Sequence, residues 1–418
     1  MAGRPLPTLT DLDAAAVADD YARRRLGDHP VRALVAATSQ VLSTPRLGPA
    51  HARGMLAPVD LLARAALFRV LGDPIPEAAR HHVVALAAAH EAIGPAAPAP
   101  QRLPAVDPAV GGRELAAALD VGDADHADRC AARLLDHLPV ANLASGIGVE
   151  AIGRTALNGH GVVYGRLLRR ADDTIDPMLR TVVRSLAGAR RPLVGLEWPG
   201  PAGDAADSVE RACAGVPMVG PDPAGGSAWA EDLAGAVDRV QHLVPESLHT
   251  LTRAVRAQET VGERDLLRFV AAQMVADPSR AARWVDPLVL ANATLDLAAG
   301  LGPEPRDRAV HTAVVWAVAP WAVHGPGTAA AVDVAFGTVE LPAAGDAPSW
   351  PELVDRAVRS PDGRLSRYVL ACLQAGAVDP AGGPLYHRAA GVLADAVATG
   401  AIERRLPHAT DAVIDLTT

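Results

Sequence analysis

The sequence predicts an all-α protein, a single large helical domain of packed helices in two lobes with no extended sheet. Three observations carry this. Apolar residues recur at three- and four-residue steps in segment after segment, the period of an amphipathic helix, and nearly every such segment stops at Gly or Pro. An alternating strand pattern is almost absent: GTVELP (337–342) is the best candidate, and it is short. The composition fits closely packed helices, because the 418 residues are 50% hydrophobic and rich in Ala, Val and Leu, with only three Phe and four Tyr.

Along the chain, residues 1–9 read as a flexible tail and 10–412 as the helical domain. LTDLDAAAVADDYARRRL opens on a Thr/Asp cap candidate and sets Leu12, Ala16, Val17 and Leu26 on roughly one face. PVDLLARAALFRVLG, PEAARHHVVALAAAHEAIG, HADRCAARLLDHLPV and PMLRTVVRSLAGA follow as helices. In the second half the same period runs through AEDLAGAVDRVQHLV, RDLLRFVAAQMVA, DPLVLANATLDLAAGLG, RAVHTAVVWAVAPWAV, SWPELVDRAVRS and GRLSRYVLACLQAG. Two Pro/Gly-rich breaks stand out, Pro95–Gly112 and Pro199–Ser227, and the second marks a candidate lobe boundary. Ala144–Gly146 reads as a linker between helices. No fixed repeat period appears, which argues against a helical solenoid.

Composition excludes some chemistry. All 39 basic residues are Arg, so no lysine can serve as base or Schiff-base former. The net charge of −9 and the interleaving of Arg with acids argue against nucleic acid as a partner. Three widely spaced cysteines fit reduced thiols of a cytoplasmic protein. The N-terminus shows no apolar leader, and no long apolar run free of charge or proline suggests a membrane span. Dinucleotide, P-loop, HExxH, CxxC and GxSxG motifs are missing.

Histidines offer the candidate chemistry. His126 and Cys130 stand at i, i+4 in DADHADRC, a metal-ligand spacing, although the Asp-rich stretch also reads as a capped, solvated first turn. His90–Glu91 and Asp136–His137 are sequence neighbours that point to different helix sides. His82, His160, His249 and His311 lie in or beside apolar helices, where a core imidazole bonded to a carbonyl is the ordinary outcome and a shared metal or catalytic pocket the functional one. His160 sits between two glycines in NGHGVVYGRLLRR, as a side chain held over a cavity would. Trp316 and Trp321 either fill a core poor in aromatics or form a flat slot for a planar ligand.

Four segments, in order along most of the chain, resemble the questin oxidase family: HHVVALAAAHEAIGPAA, GHGVVYGRLLRRADDTIDPMLRTVVRSLAGARRPL, PESLHTLTRAVRA with its His-x-x-Thr, and SWPELVDRAVRSPDGRLSRYVLACLQAGAVDPAGGPLYHRAAGVL. The resemblance implies an all-α oxygenase that opens or oxygenates a ring of a polycyclic, anthraquinone-like polyketide in secondary metabolism, with O₂ as oxidant. It also implies a non-haem iron or other divalent metal held by His82, His160 and His249, and NADPH as reductant. His160 and His249 would be catalytic. Two departures mark the chain. Where the family commonly has Asp-x-His-x-x-Lys, this sequence reads Asp362-Gly-Arg364-Leu-Ser-Arg367, and Val255 stands where a second His often falls. Arginine stays protonated and has no lone pair for a metal, so Arg364 and Arg367 suit an anion or phenolate instead and, with Trp316 and Trp321, become candidate substrate-binding residues. A second reading follows from the same departures: a non-catalytic or metal-free homologue that binds an aromatic intermediate or a partner protein.

Overall fold

A computed structural model describes residues 9, 17–48, 56–154, 159–187, 198–203, 206–220, 233–325, 328–336 and 348–401. These residues form helices and no strand; the one extended pairing is an isolated antiparallel bridge between Arg46 and Ala96. The fold is all-α, as the periodicity predicts. The Thr10/Asp11 cap candidate and GTVELP lie outside the described residues. The described chain groups into two compact units, one of residues up to 192 with 358–366, the other of residues 193–357 and those from 367 on. The division falls just ahead of the 199–227 break.

The first unit holds nine helices among its described residues before residue 192. They are α1 (Val17–Arg23), α2 (Val31–Leu42), α3 (Ala57–Leu71), α4 (Glu77–Glu91), α5 (Pro108–Val121), α6 (Ala124–Leu135), α7 (Val140–Glu150), α8 (Gly161–Leu168) and α9 (Leu179–Ala187). Helices α2, α3 and α4 pack on one another, α5, α6 and α9 form a second group, and α8 lies against α7 and α3. Asp107 and Asp123 cap α5 and α6, their carboxylates accepting from Ala109 N at 2.8 Å and His126 N at 2.9 Å. Buried Arg64 on α3 donates to the carbonyls of Val358 at 2.9 Å and Ser360 at 2.7 Å, and so ties the 358–366 segment to this unit.

Two expectations are corrected here. Helix α5 begins inside the stretch read as the break Pro95–Gly112, because Pro108 behind the Asp107 cap starts a helix rather than ending one. Ala144–Gly146 is no linker but the middle of α7. Its glycines lower helix propensity by about 1 kcal/mol each, yet the crossing with α8 requires small residues: a Cβ on Gly165 would collide with Gly148 Cα and stand 2.9 Å from Ala144 O.

The second unit contains α10 (Val209–Ala214), α11 (Leu233–Leu243), α12 (Pro245–Ala257), α13 (Glu259–Ala276), α14 (Val285–Ala298), α15 (Pro303–His324) and α16 (Thr328–Ala335). After α17 (Trp350–Arg359) come α18 (Gly363–Val378) and α19 (Gly383–Ala398). The short α10 lies inside the stretch read as the 199–227 break. Helix α15 is the centre of this unit. Every residue from Ala309 to Val323 is buried, so the helix has no polar face and other helices must cover it on all sides. Helices α11, α12, α13 and α14 do so. Pro320 removes one backbone donor within α15, and Gln273 of α13 donates its side-chain amide to Ala317 O beside that gap at 2.7 Å.

Candidate functional site

Helix α12 starts on Pro245 at its first turn and buries Leu248, His249, Leu251, Thr252, Ala254 and Val255. Spacings of three and four place these on one face. That face packs on α15, so the His-x-x-Thr pair of α12 meets His311. Thr252 Oγ1 lies 2.8 Å from His311 Nδ1 and 2.8 Å from the Leu248 carbonyl one turn back. The two imidazole centroids are 5.3 Å apart. Trp198, half-buried on a segment without regular structure, completes the group, its ring 5.3 Å from His311 and 5.9 Å from His249. That segment is held to α12 by Arg253, which donates to Ala202 O at 3.4 Å while Gly203 passes close to the guanidinium.

His311 is 2% exposed and His249 8%. Burial, with the charge of His249 as the smaller cause, lowers His311 to about 3. It is therefore a neutral imidazole at any physiological pH, a hydrogen-bond acceptor or donor rather than a cation. Two buried imidazoles lie beside an indole, with a hydroxyl fixing one of them; the indole is the most exposed of the group and offers its face to a planar aromatic.

The other expected residues fare differently. His82, on α4, places Nε2 2.9 Å from the Arg359 carbonyl, a contact that requires a proton on that nitrogen and removes it as a ligand atom. His160 is 1% exposed at the head of α8. The glycines around it are explained by backbone and packing: Gly159 has φ 79°, and a Cβ on Gly161 would stand 2.8 Å from both Ala151 Cβ and Leu186 Cδ2. They no longer argue for a ligand beside His160. His82 and His160 belong to the first unit, His249 to the second.

Trp316 and Trp321 are 1% and 0% exposed within α15, and Trp321 packs 5.1 Å from Trp284. Both side chains are enclosed as core, the first of the two outcomes that the sequence left open. Arg364 forks onto its neighbour Asp362, with contacts of 2.6–3.0 Å, and Arg367 is 5% exposed on α18. The Asp362 carboxylate meets the edge of Arg364 that carries Nε and Nη2.

For the metal expected from the resemblance, the described residues supply no fitting donor set. Among the described residues, no group of three or more His, Cys, Asp or Glu side chains could hold a metal ion. His126 and Cys130 do share a face of α6, but they meet each other, Sγ to Nε2 at 3.7 Å, and burial raises the thiol above its ordinary range. His90 bonds the Thr44 carbonyl at 2.8 Å, and Glu91 pairs with Arg46 at 2.9 Å, so both anchor the 44–46 segment.

Sequence reasoning singled out His249, Thr252 and His311 but passed over Trp198. Its signal was a large aromatic inside an otherwise Pro- and Gly-rich run, LEWPGPAG, where a core role is least expected. Among the described residues, no helix is long and apolar enough to cross a membrane. No family model, curated protein or solved structure matches the chain.

Proposed function

We propose that this chain is an oxidoreductase of the questin-oxidase type that binds a planar phenolic polyketide against Trp198, His249 and His311. The observation that carries the reading is the meeting of the family-like His-x-x-Thr segment with His311 and Trp198 in one buried aromatic cluster. In this reading the ring stacks on Trp198, and His311 holds a substrate hydroxyl. His249, the more exposed imidazole, takes the proton of a second ring hydroxyl and leaves an electron-rich phenolate that reacts with O₂. Inserting one oxygen atom and releasing the other as water consumes two electrons, supplied by reduced nicotinamide as co-substrate. No step is assigned to a metal, because no donor set among the described residues fits one. A cytoplasmic setting agrees with three buried, unbridged cysteines.

The test is oxygen consumption and ¹⁸O₂ incorporation by the purified chain with hydroxyanthraquinones, with and without NADPH. Substrate-dependent uptake should appear and fall by roughly 100-fold or more in His249→Ala, the size of a lost acid–base group. Tight binding with no oxygen uptake would establish the second reading, a protein that binds an aromatic intermediate without transforming it.

A further inference from the structure

The hydroxyl of Thr252 has one hydrogen and two neighbours at bonding distance, the Leu248 carbonyl and His311 Nδ1, both at 2.8 Å. The carbonyl can only accept, whereas an imidazole nitrogen can do either. If the hydroxyl hydrogen went to Nδ1, two oxygens would face each other at 2.8 Å with no hydrogen between them. If it goes to Leu248 O, the usual back-bond of a helical threonine, Nδ1–H donates to Oγ1 and both contacts become hydrogen bonds. The second arrangement fixes the ring as the Nδ1–H tautomer. The lone pair then lies on Nε2, while the hydrogen bonds that His311 makes within the described chain all run through Nδ1.

We infer that Thr252 is a positioning and specificity residue: by fixing the Nδ1–H tautomer of His311 it presents Nε2 as an obligatory acceptor, so the site selects planar aromatics carrying a free hydroxyl over their O-methyl ethers. The inference deepens the proposed function and rests on its placement of the ligand. A methyl ether has the same ring but no hydrogen to give, and it leaves Nε2 buried without a partner. The neutrality of His311 reinforces the selection, since a protonated ring would donate from both nitrogens. Thr252→Val keeps the shape and removes the acceptor for Nδ1–H, which frees the ring to take the other tautomer. Thr252→Ser keeps the hydroxyl.

The experiment is calorimetric titration of the full-length protein at pH 6.5 with 2-hydroxyanthraquinone and with 2-methoxyanthraquinone. It is paired with ¹⁵N chemical shifts of the imidazole nitrogens, His311 being assigned by its loss in His311→Gln. The wild type and Thr252→Ser should bind the hydroxy compound about tenfold or more tighter than the ether, the worth of one buried hydrogen bond. Thr252→Val should bring the two affinities within about threefold of each other. The nitrogen shifts should show Nδ1 protonated and Nε2 unprotonated in the ligand-free wild type. An Nε2–H tautomer, or equal affinities in a wild type that binds both compounds, overturns the inference and leaves the proposed function standing. Binding of neither compound refutes the ligand placement itself, whatever the nitrogen shifts show.

Discussion

His311 shows how one residue's surroundings decide its chemistry. The same burial that makes it an uncharged acceptor makes it a liability in acid. His90, enclosed on α4, is likewise lowered to about 4 by burial and by Arg46, against the Thr44 carbonyl contact. In the unfolded chain both rings take up a proton as the pH falls below about 6.5, whereas in the folded chain they do so only near 4 and 3. Folded-state stability is therefore complete above about pH 6.5 and is lost progressively as the pH falls towards 4. Urea unfolding at pH 7.5 and pH 4.5 should differ by on the order of 2–5 kcal/mol from these two groups. His90→Asn should flatten the dependence, and a dependence as steep in that variant would refute the assignment. The identity of such residues was legible in the sequence as histidines in apolar helices. Their roles were not, because a carbonyl partner from a distant segment leaves no local pattern: His90 and Thr44, or His82 and Arg359, become neighbours only on folding.

At the scale of elements, periodicity located helices well wherever the apolar stripe was long and the cap ordinary. It failed where glycine serves packing. Helices α7 and α8 approach so closely that Gly148 and Gly165 meet, and Gly161 fits against Ala151 and the Leu186 side chain on α9. A reading of local propensity takes the same glycines as linkers, or as the mouth of a ligand cavity. Gly161→Ala should cost about 1–3 kcal/mol by overpacking, read as a shift in the denaturation midpoint with an unchanged slope. No loss of stability would mean that α8 does not sit against α9 as described. Helix α5 failed for a different reason, since proline followed a capping aspartate and was read as a break. The His-x-x-Thr of α12 was the opposite case, because three-residue spacing put His249 and Thr252 on one face before any packing was known.

For the whole molecule, the all-α class was legible because it follows from period and composition, which every segment repeats. The site was only half legible. Its helical residues carried a pattern, while Trp198 reaches the imidazoles from a segment without regular structure, and the choice of His311 over other histidines depends on α15 being packed against α12. Within its second unit the described chain gathers two imidazoles, a threonine and an indole. Calorimetric titration of the wild type and Trp198→Ala with 2-hydroxyanthraquinone tests that cluster most directly as the place where a planar aromatic binds. Loss of the stacking ring should weaken binding by about tenfold while the thermal transition stays within a few degrees of wild type. Unchanged affinity in the folded variant would contradict the account.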